Sequence, residues 1–239
     1  MNPAGVFFDL YGTLLVAADP DAAWGAWGRS FLSMLARHGH ALPVNARRQL
    51  SERFMDPPAP TRLENGFTLY EQRVHEFLCE AGVVASVACV REVAIASAQA
   101  WHEHYAPDPE ADGVLARLRS GGCRLALVSN FDHPPLLRAR LESAGLAVAF
   151  DVIVVSAEIG VEKPDPAAFR PALEATGLEP ARVVHVGDTA ADVHGAQAAG
   201  VRPVYLCRTA TPDPAIANDV IRIRSLCELE DLLSGGDPG

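Results

Sequence analysis

Val6-Phe7-Phe8-Asp9-Leu10-Tyr11-Gly12-Thr13-Leu14-Leu15 is the stretch that decides how this chain is read. Residues with strand character run into a lone aspartate, and the chain then turns at Gly12. A strand buried inside a parallel sheet is apolar throughout, because helices cover both of its faces. A carboxylate at its carboxyl end is out of place as packing. It suits chemistry, since open α/β sheets bind ligands just beyond the C-terminal ends of their strands.

Beyond Leu15 the periodicity changes. Trp24, Trp27, Phe31, Leu32 and Leu35 fall at helical spacing, and Pro20 and Asp21 suit a helix start. The Pro-rich run Asp56-Pro57-Pro58-Ala59-Pro60 marks a break. Amphipathic stretches at 69–81 and 86–105 follow, so residues 16–106 read as a separate helical domain. From 107 onward helices are expected at 113–120, 136–144, 166–176, 191–199 and 229–233. Between them, strands are expected at 124–130, 152–156, 183–188 and 204–207, with an edge strand at 221–223. Gly145, Gly177 and Gly200 stand where helices stop, and the tail from Ser234 is expected to fray. Strands alternating with helices imply a parallel, doubly wound sheet. The fold class is therefore α/β: a Rossmann-like core of residues 1–15 and 107–239, with residues 16–106 inserted as helices.

Composition limits the partners. The 239 residues carry a formal net charge of -10, which argues against nucleic acid or an anionic membrane surface. A phosphorylated substrate stays open, because a metal or a lysine can invert the local field. Five scattered cysteines, with no CxxC, read as reduced packing residues of a cytosolic protein. No signal-like segment or long apolar run appears, and a cytoplasmic location is expected. The partner expected is a small molecule, and the chain is expected to be a monomer or a homodimer.

Polar residues close four separate strands or the loops just after them: Asp9, Ser129 with Asn130, Lys163, and Asp188 followed by Asp192. In a parallel sheet those ends point the same way and converge on one crevice. Carboxylates with oxygen ligands beside them form a hard-cation site, for which Mg²⁺ is the natural occupant. A lysine and a hydroxyl suit an anion, and an aspartate can act as a covalent nucleophile. Singly, Ser129-Asn130 reads better as a turn, Lys163 as a solvated loop charge and Asp192 as a first-turn helix acid. Jointly and in this order, the functional reading is favoured.

These residues resemble the haloacid dehalogenase-like hydrolase superfamily. The first motif of that family, DxDGT or a near variant, corresponds to Asp9-Leu10-Tyr11-Gly12-Thr13. Ser129 corresponds to the second motif, Lys163 in Lys163-Pro164-Asp165-Pro166 to the third, and Gly187-Asp188-Thr189-Ala190-Ala191-Asp192 to the fourth, GDxxxD. The resemblance implies that Asp9 is the nucleophile, with Tyr11, Thr13 and Lys163 in the catalytic set. It implies that Thr13, Ser129, Asn130 and Lys163 bind the substrate. It further implies a Mg²⁺ cofactor held by Asp9, the Tyr11 backbone carbonyl, Asp188 and Asp192. Residues 16–106 take the family's place for an α-helical cap, with hinges near Val16 and Ala106.

Tyr11 departs from the phosphatases of the family, which carry a second aspartate there as general acid and base. A tyrosine, with an ordinary pKa of about 10, is a poor base at neutral pH. Phe8-Asp9-Leu10-Tyr11-Gly12-Thr13-Leu14 is similar instead to the 2-haloacid dehalogenases, in which the aspartate attacks carbon without a metal. That branch usually has Asn in place of Asp188 and a Tyr where this chain has Phe169; Arg29 is a candidate for binding a carboxylate, but reads better as a solvated helix residue. The acidic set favours a Mg²⁺-dependent phosphatase of a small phosphorylated metabolite. The alternatives are a 2-haloacid dehalogenase and a catalytically weak member that binds a ligand. His102 and His104 read as linker residues, His185 as a hydrogen-bonded core residue, and Trp24 and Trp27 as packing.

Overall fold

The computed structural model describes residues 3–55 and 63–234. The Pro-rich break at Asp56–Pro60 and the tail from 235 lie outside the described residues. In chain order the strands are β1 (Gly5–Phe8), β2 (Leu15–Ala17), β3 (Tyr105–Pro107), β4 (Arg124–Ser129), β5 (Val152–Val155), β6 (Val183–Gly187), β7 (Arg202–Leu206) and β8 (Ile221–Ile223). The helices are α1 (Pro20–Arg37), α2 (Val44–Met55), α3 (Leu69–Glu80), α4 (Val87–His102), α5 (Ala111–Ser120), α6 (Pro134–Ser143), α7 (Ser156–Ile159), α8 (Arg170–Thr176), α9 (Ala190–Ala198) and α10 (Cys227–Ser234).

Six strands form one sheet in the order β5-β4-β1-β6-β7-β8, every neighbour parallel. The interior strands are apolar and β-branched. The burial of Phe7, Ala126, Val128, Val154 and Val183 against Phe169, Ala172 and Ala196 forms the core of one sheet face. Since β1 lies between β4 and β6, the carboxyl ends that follow Phe8, Ser129 and Gly187 sit side by side. Sheet order alone thus brings Asp9, Ser129 and Asp188 to one edge.

The chain divides into two compact units. One comprises residues 1–16, 106–131 and 141–239 and holds the sheet; the other comprises 17–105 and 132–140 and is helical. The helical unit therefore holds more than the expected 16–106, because Asp132–Arg140 groups with it. Within that unit Arg73 pairs with Asp132, the Tyr70 N–H donates to the Asp132 carbonyl at 3.1 Å, and Arg140 donates to the Tyr105 carbonyl. The helical period of 134–143 looks the same whichever unit it packs in, so sequence alone does not show this.

The helical unit has its own core of Trp27, Phe31, Leu35, Phe54, Phe77, Val90 and Val93. Trp27 Nε1 donates to the Tyr70 hydroxyl at 2.6 Å, and that hydroxyl meets Ser97 Oγ at 2.9 Å. Burial pushes the Tyr70 phenol up to about 12, so it stays a neutral hydrogen-bonding group. Trp24 packs edge-on against Trp27 at 5.5 Å, the packing role expected of both. Arg29 is exposed on α1. Among the described residues, no helix is long and apolar enough to cross a membrane.

Candidate active site

Asp9 follows β1 directly. Its N–H donates to the Val186 carbonyl at 2.9 Å and extends the ladder by one rung, which fixes the Asp9 backbone as part of the sheet. The chain then folds back: the Leu14 N–H donates to the Leu10 carbonyl at 2.8 Å and the Gly12 N–H to the Leu15 carbonyl at 2.7 Å. Gly12 has φ +86, and a Cβ there would lie 2.1 Å from Asp188 Oδ2. Only glycine permits both the turn and this approach. Gly187 has the same role one strand away, since its Cβ would lie 2.2 Å from Asp192 Cγ.

Lys163 is buried, and its ammonium donates three hydrogen bonds: to Asp9 Oδ1 at 2.6 Å, to Asp192 Oδ1 at 2.6 Å and to the Val128 carbonyl at 2.7 Å. All three donors of the ammonium are used. Burial opposes the charge, and the Asp192 and Asp9 carboxylates outweigh it, holding Lys163 above the ordinary lysine range. Asn130 sets the lysine's backbone. Its Nδ2 donates to the Lys163 carbonyl at 2.8 Å, and its Oδ1 accepts from the Lys163 N–H at 2.9 Å. Asn130, expected to bind substrate, engages Lys163 at both ends of its amide.

Asp192 is filled in the same way. Oδ1 accepts from Lys163 Nζ and from His185 Nε2 at 3.0 Å; Oδ2 accepts from the Thr189 hydroxyl at 2.6 Å and the Thr189 N–H at 3.1 Å. A carboxylate offers about four lone-pair sites, and all of them are taken. Burial raises its pKa, but Lys163 and His185 more than reverse this and hold Asp192 well below the usual carboxylate range. Its structural task is to hold Lys163 and to cap α9 with Thr189.

Asp9 and Asp188 lack such compensation. Burial pushes Asp9 up to about 6 even with Lys163 beside it, and burial with the nearby Asp9 and Asp192 charges pushes Asp188 up to about 8. Asp188 Oδ1 accepts from Thr13 Oγ1 at 3.2 Å. Carboxylate oxygens of Asp9, Asp188 and Asp192 all lie within 4.8 Å of one another. One lysine cannot neutralise three acids, so the donor set fits a hard divalent cation held by oxygen. The Ser129 hydroxyl is buried at the end of β4 without a partner among the described residues. An unpaired buried hydroxyl is costly, and a ligand oxygen would satisfy it. Tyr11 stacks on Phe131, ring centroids 5.3 Å apart.

A family model for haloacid dehalogenase-like hydrolases matches residues 3–200. The chain belongs to that family. Among curated relatives of this haloacid dehalogenase-like hydrolase, a phosphoserine phosphatase of Thermus thermophilus is 43% identical over 122 residues, covering 51% of this chain and 49% of the relative. An (S)-2-haloacid dehalogenase 1 of a Pseudomonas species is 33% identical over 135 residues, covering 56% of this chain and 59% of the relative. The chain thus spans about half the length of the curated relatives it matches. Among solved structures, a 2-haloacid dehalogenase from Pseudomonas syringae pv. Tomato superposes with a TM-score of 0.70 at 24% identity, over 98% of each chain, which shows the shared fold.

Three residues of this family member escaped sequence reasoning as parts of the site. His185 is a hydrogen-bonded core residue as expected, yet it also supplies one of the four bonds to Asp192. Burial pushes its pKa down, so the neutral ring donates from Nε2. The alternation of an inward polar residue within Val183–Gly187 was the available signal. Arg208 and Asp108 touch the turn after Asp9 from distant parts of the chain, and no spacing rule links them to it. Phe169, where the dehalogenase branch has a tyrosine, is a core ring set edge-on to His185 at 4.9 Å.

Proposed function

We propose that this hydrolase cleaves a small phosphate monoester by attack of Asp9 on phosphorus. The observation that carries the reading is the cluster of Asp9, Asp188 and Asp192 oxygens within 4.8 Å of one another, three acids beside one lysine whose three donors are already used. Asp9 and Asp188, with the Tyr11 carbonyl, would hold Mg²⁺, and Asp192 would support them through Lys163 and Thr189. Bound Mg²⁺ would keep both acids ionised and offset charge on the phosphoryl oxygens.

The remaining steps fall to the chain. Lys163 holds Asp9 Oδ1 and orients the carboxylate. A carboxylate oxygen of Asp9 forms the bond to phosphorus while the ester P–O bond breaks, and the leaving alkoxide takes a proton from solvent water. Water then attacks phosphorus, releases inorganic phosphate and restores the Asp9 carboxylate. The Ser129 hydroxyl, unpartnered among the described residues, binds a phosphoryl oxygen, and the Thr13 hydroxyl joins it by turning away from Asp188; Lys163 offsets the phosphoryl charge through space, its donors staying on Asp9, Asp192 and Val128. With tyrosine at position 11, proton transfer to the leaving group is weak, and esters with good leaving groups are favoured. The helical unit takes the place of a cap and selects the substrate. Relatives described as phosphoserine and phosphoglycolate phosphatases point to a small phosphorylated acid.

One observation favours a second reading. Tyr11, stacked on Phe131, stands in the first motif as in 2-haloacid dehalogenases, where Asp9 would displace halide from carbon and water would then attack the aspartyl carbonyl. Phosphate release from phosphomonoesters and halide release from 2-haloacids, each assayed in Mg²⁺ and in EDTA, separate the two. Phosphate release that EDTA abolishes is the expected result; halide release that persists in EDTA would replace this reading with the second.

A further inference from the structure

A second set of contacts holds the turn between Asp9 and Leu15, and none of it involves the acids or Lys163. Arg208, just beyond β7, donates from Nη2 to the Thr13 carbonyl at 3.0 Å and from Nε to the Gly12 carbonyl at 3.3 Å. The same Nη2 pairs with Asp108 Oδ2 at 2.7 Å, and that carboxylate is 5% exposed. Asp108 is itself fixed, because its Oδ1 accepts from the Glu110 N–H at 2.8 Å and its own N–H donates to the Leu14 carbonyl at 2.9 Å. Three consecutive carbonyls of the turn are therefore held by these two residues: Gly12 and Thr13 by the Arg208 guanidinium, and Leu14 by the Asp108 backbone N–H.

We propose that Arg208, held by Asp108, is a positioning residue that sets the Gly12–Thr13 peptides and, through them, the Thr13 hydroxyl and the approach of Gly12 to Asp188. Two carbonyls in a row accepting from one planar guanidinium restrain the Gly12–Thr13 and Thr13–Leu14 peptides together. The fork is what the geometry uses: a lysine offers one point charge and cannot span both carbonyls and a carboxylate. Asp108 cancels the arginine's charge, so Arg208 acts on the turn rather than on an anionic substrate. Gly12 has no Cβ and φ +86, the most permissive backbone in the turn, and without a clamp it would be the first to drift. The effect on rate rests on the function proposed above; the clamp itself does not.

The test compares wild type with Arg208→Met, Arg208→Lys and Asp108→Asn in two measurements. The first is amide exchange of the peptide covering Leu10–Leu15, read by mass spectrometry against the β6 peptide. The second is kcat and KM for p-nitrophenyl phosphate in Mg²⁺. In Arg208→Met, exchange across Leu10–Leu15 should rise while β6 is unchanged. Its kcat should fall on the order of tenfold to a hundredfold, as misplaced groups cost rate, with KM within about threefold. Arg208→Lys and Asp108→Asn should fall between Arg208→Met and wild type. Unchanged exchange, a general rise across the whole sheet unit, or a loss confined to KM would each overturn the proposal. If wild type releases no phosphate, the proposed function fails, and faster exchange confined to Leu10–Leu15 still supports the clamp.

Discussion

Lys163 concentrates the electrostatics of the site in one side chain. Its ammonium lies between Asp9 and Asp192 and is nearly sealed from water. Removing one partner of a buried ion network leaves the others uncompensated, at about 3–5 kcal/mol. Lys163→Met should therefore lose about that much stability at pH 7 in urea unfolding, and less at pH 5, where Asp9 takes up a proton instead. An equal loss at both values would show that packing rather than charge sets the effect. His102 gives a second residue-scale expectation. Burial first, with Arg140 and His133 nearby, pushes its pKa from 6.5 down to about 4. The folded value lies below the unfolded one, so its contribution is full above about 6.5 and is lost as pH falls through about 4. The unfolding free energy of wild type relative to His102→Gln should fall by about 3 kcal/mol between pH 7 and pH 4. Parallel pH profiles for the two proteins would contradict this. At this scale the sequence showed which side chains stand at the strand ends. It could not show that Asn130 and Asp192 are filled by Lys163, His185 and Thr189, because hydrogen-bond partners depend on three-dimensional approach.

Turns and helices decide whether those side chains meet. Gly12 and Gly187 admit the carboxylates of Asp188 and Asp192 where any Cβ would collide. Gly12→Ala and Gly187→Ala should each abolish turnover and lower the melting temperature. Gly28 in α1 is the contrast: nothing lies within 4 Å of its Cβ position. Gly28→Ala should stabilise the protein by about 0.5–1 kcal/mol, because alanine loses less entropy in a helix. A melting temperature lower than wild type would contradict it. The strands at 124–130, 152–156 and 183–188 were legible because buried parallel strands are uniformly apolar. Helix α2 was not, since its buried positions are only Ala46, Leu50 and Phe54 amid polar residues. The segment 166–176, which reads as one helix, is a 3₁₀ turn over Pro166–Phe169 followed by α8. Pro171 lacks the N–H that a continuous helix would need there. The short strands β2 and β3 carry too few residues to give a period.

For the whole molecule, the two units join at Val16–Ala17, Tyr105–Ala106, Phe131–Asp132 and Arg140–Leu141. The sequence pattern offered no sign of the last two, and Arg140–Leu141 falls inside a single helix, α6, whose period is the same on both sides. A cation held by Asp9 and Asp188 should also stabilise the fold as a whole. At a hundredfold excess over its Kd, Mg²⁺ adds about 2.7 kcal/mol, seen as a higher melting temperature. Asp188→Asn, which relieves the repulsion with Asp9, should be more stable than wild type without Mg²⁺ and should lose the response to it. An unchanged Mg²⁺ response in that variant would place the cation elsewhere.

Which atom the water attacks at Asp9 separates the proposed chemistry from its alternative most directly. A single turnover in ¹⁸O-water, with enzyme in excess of a phosphomonoester or of a 2-haloacid, followed by mass analysis of the Asp9 peptide and of the product, reads that atom. Attack on phosphorus puts the label in the released phosphate and none in Asp9. Label in the Asp9 carboxylate, with a hydroxy acid and halide as products, would contradict it.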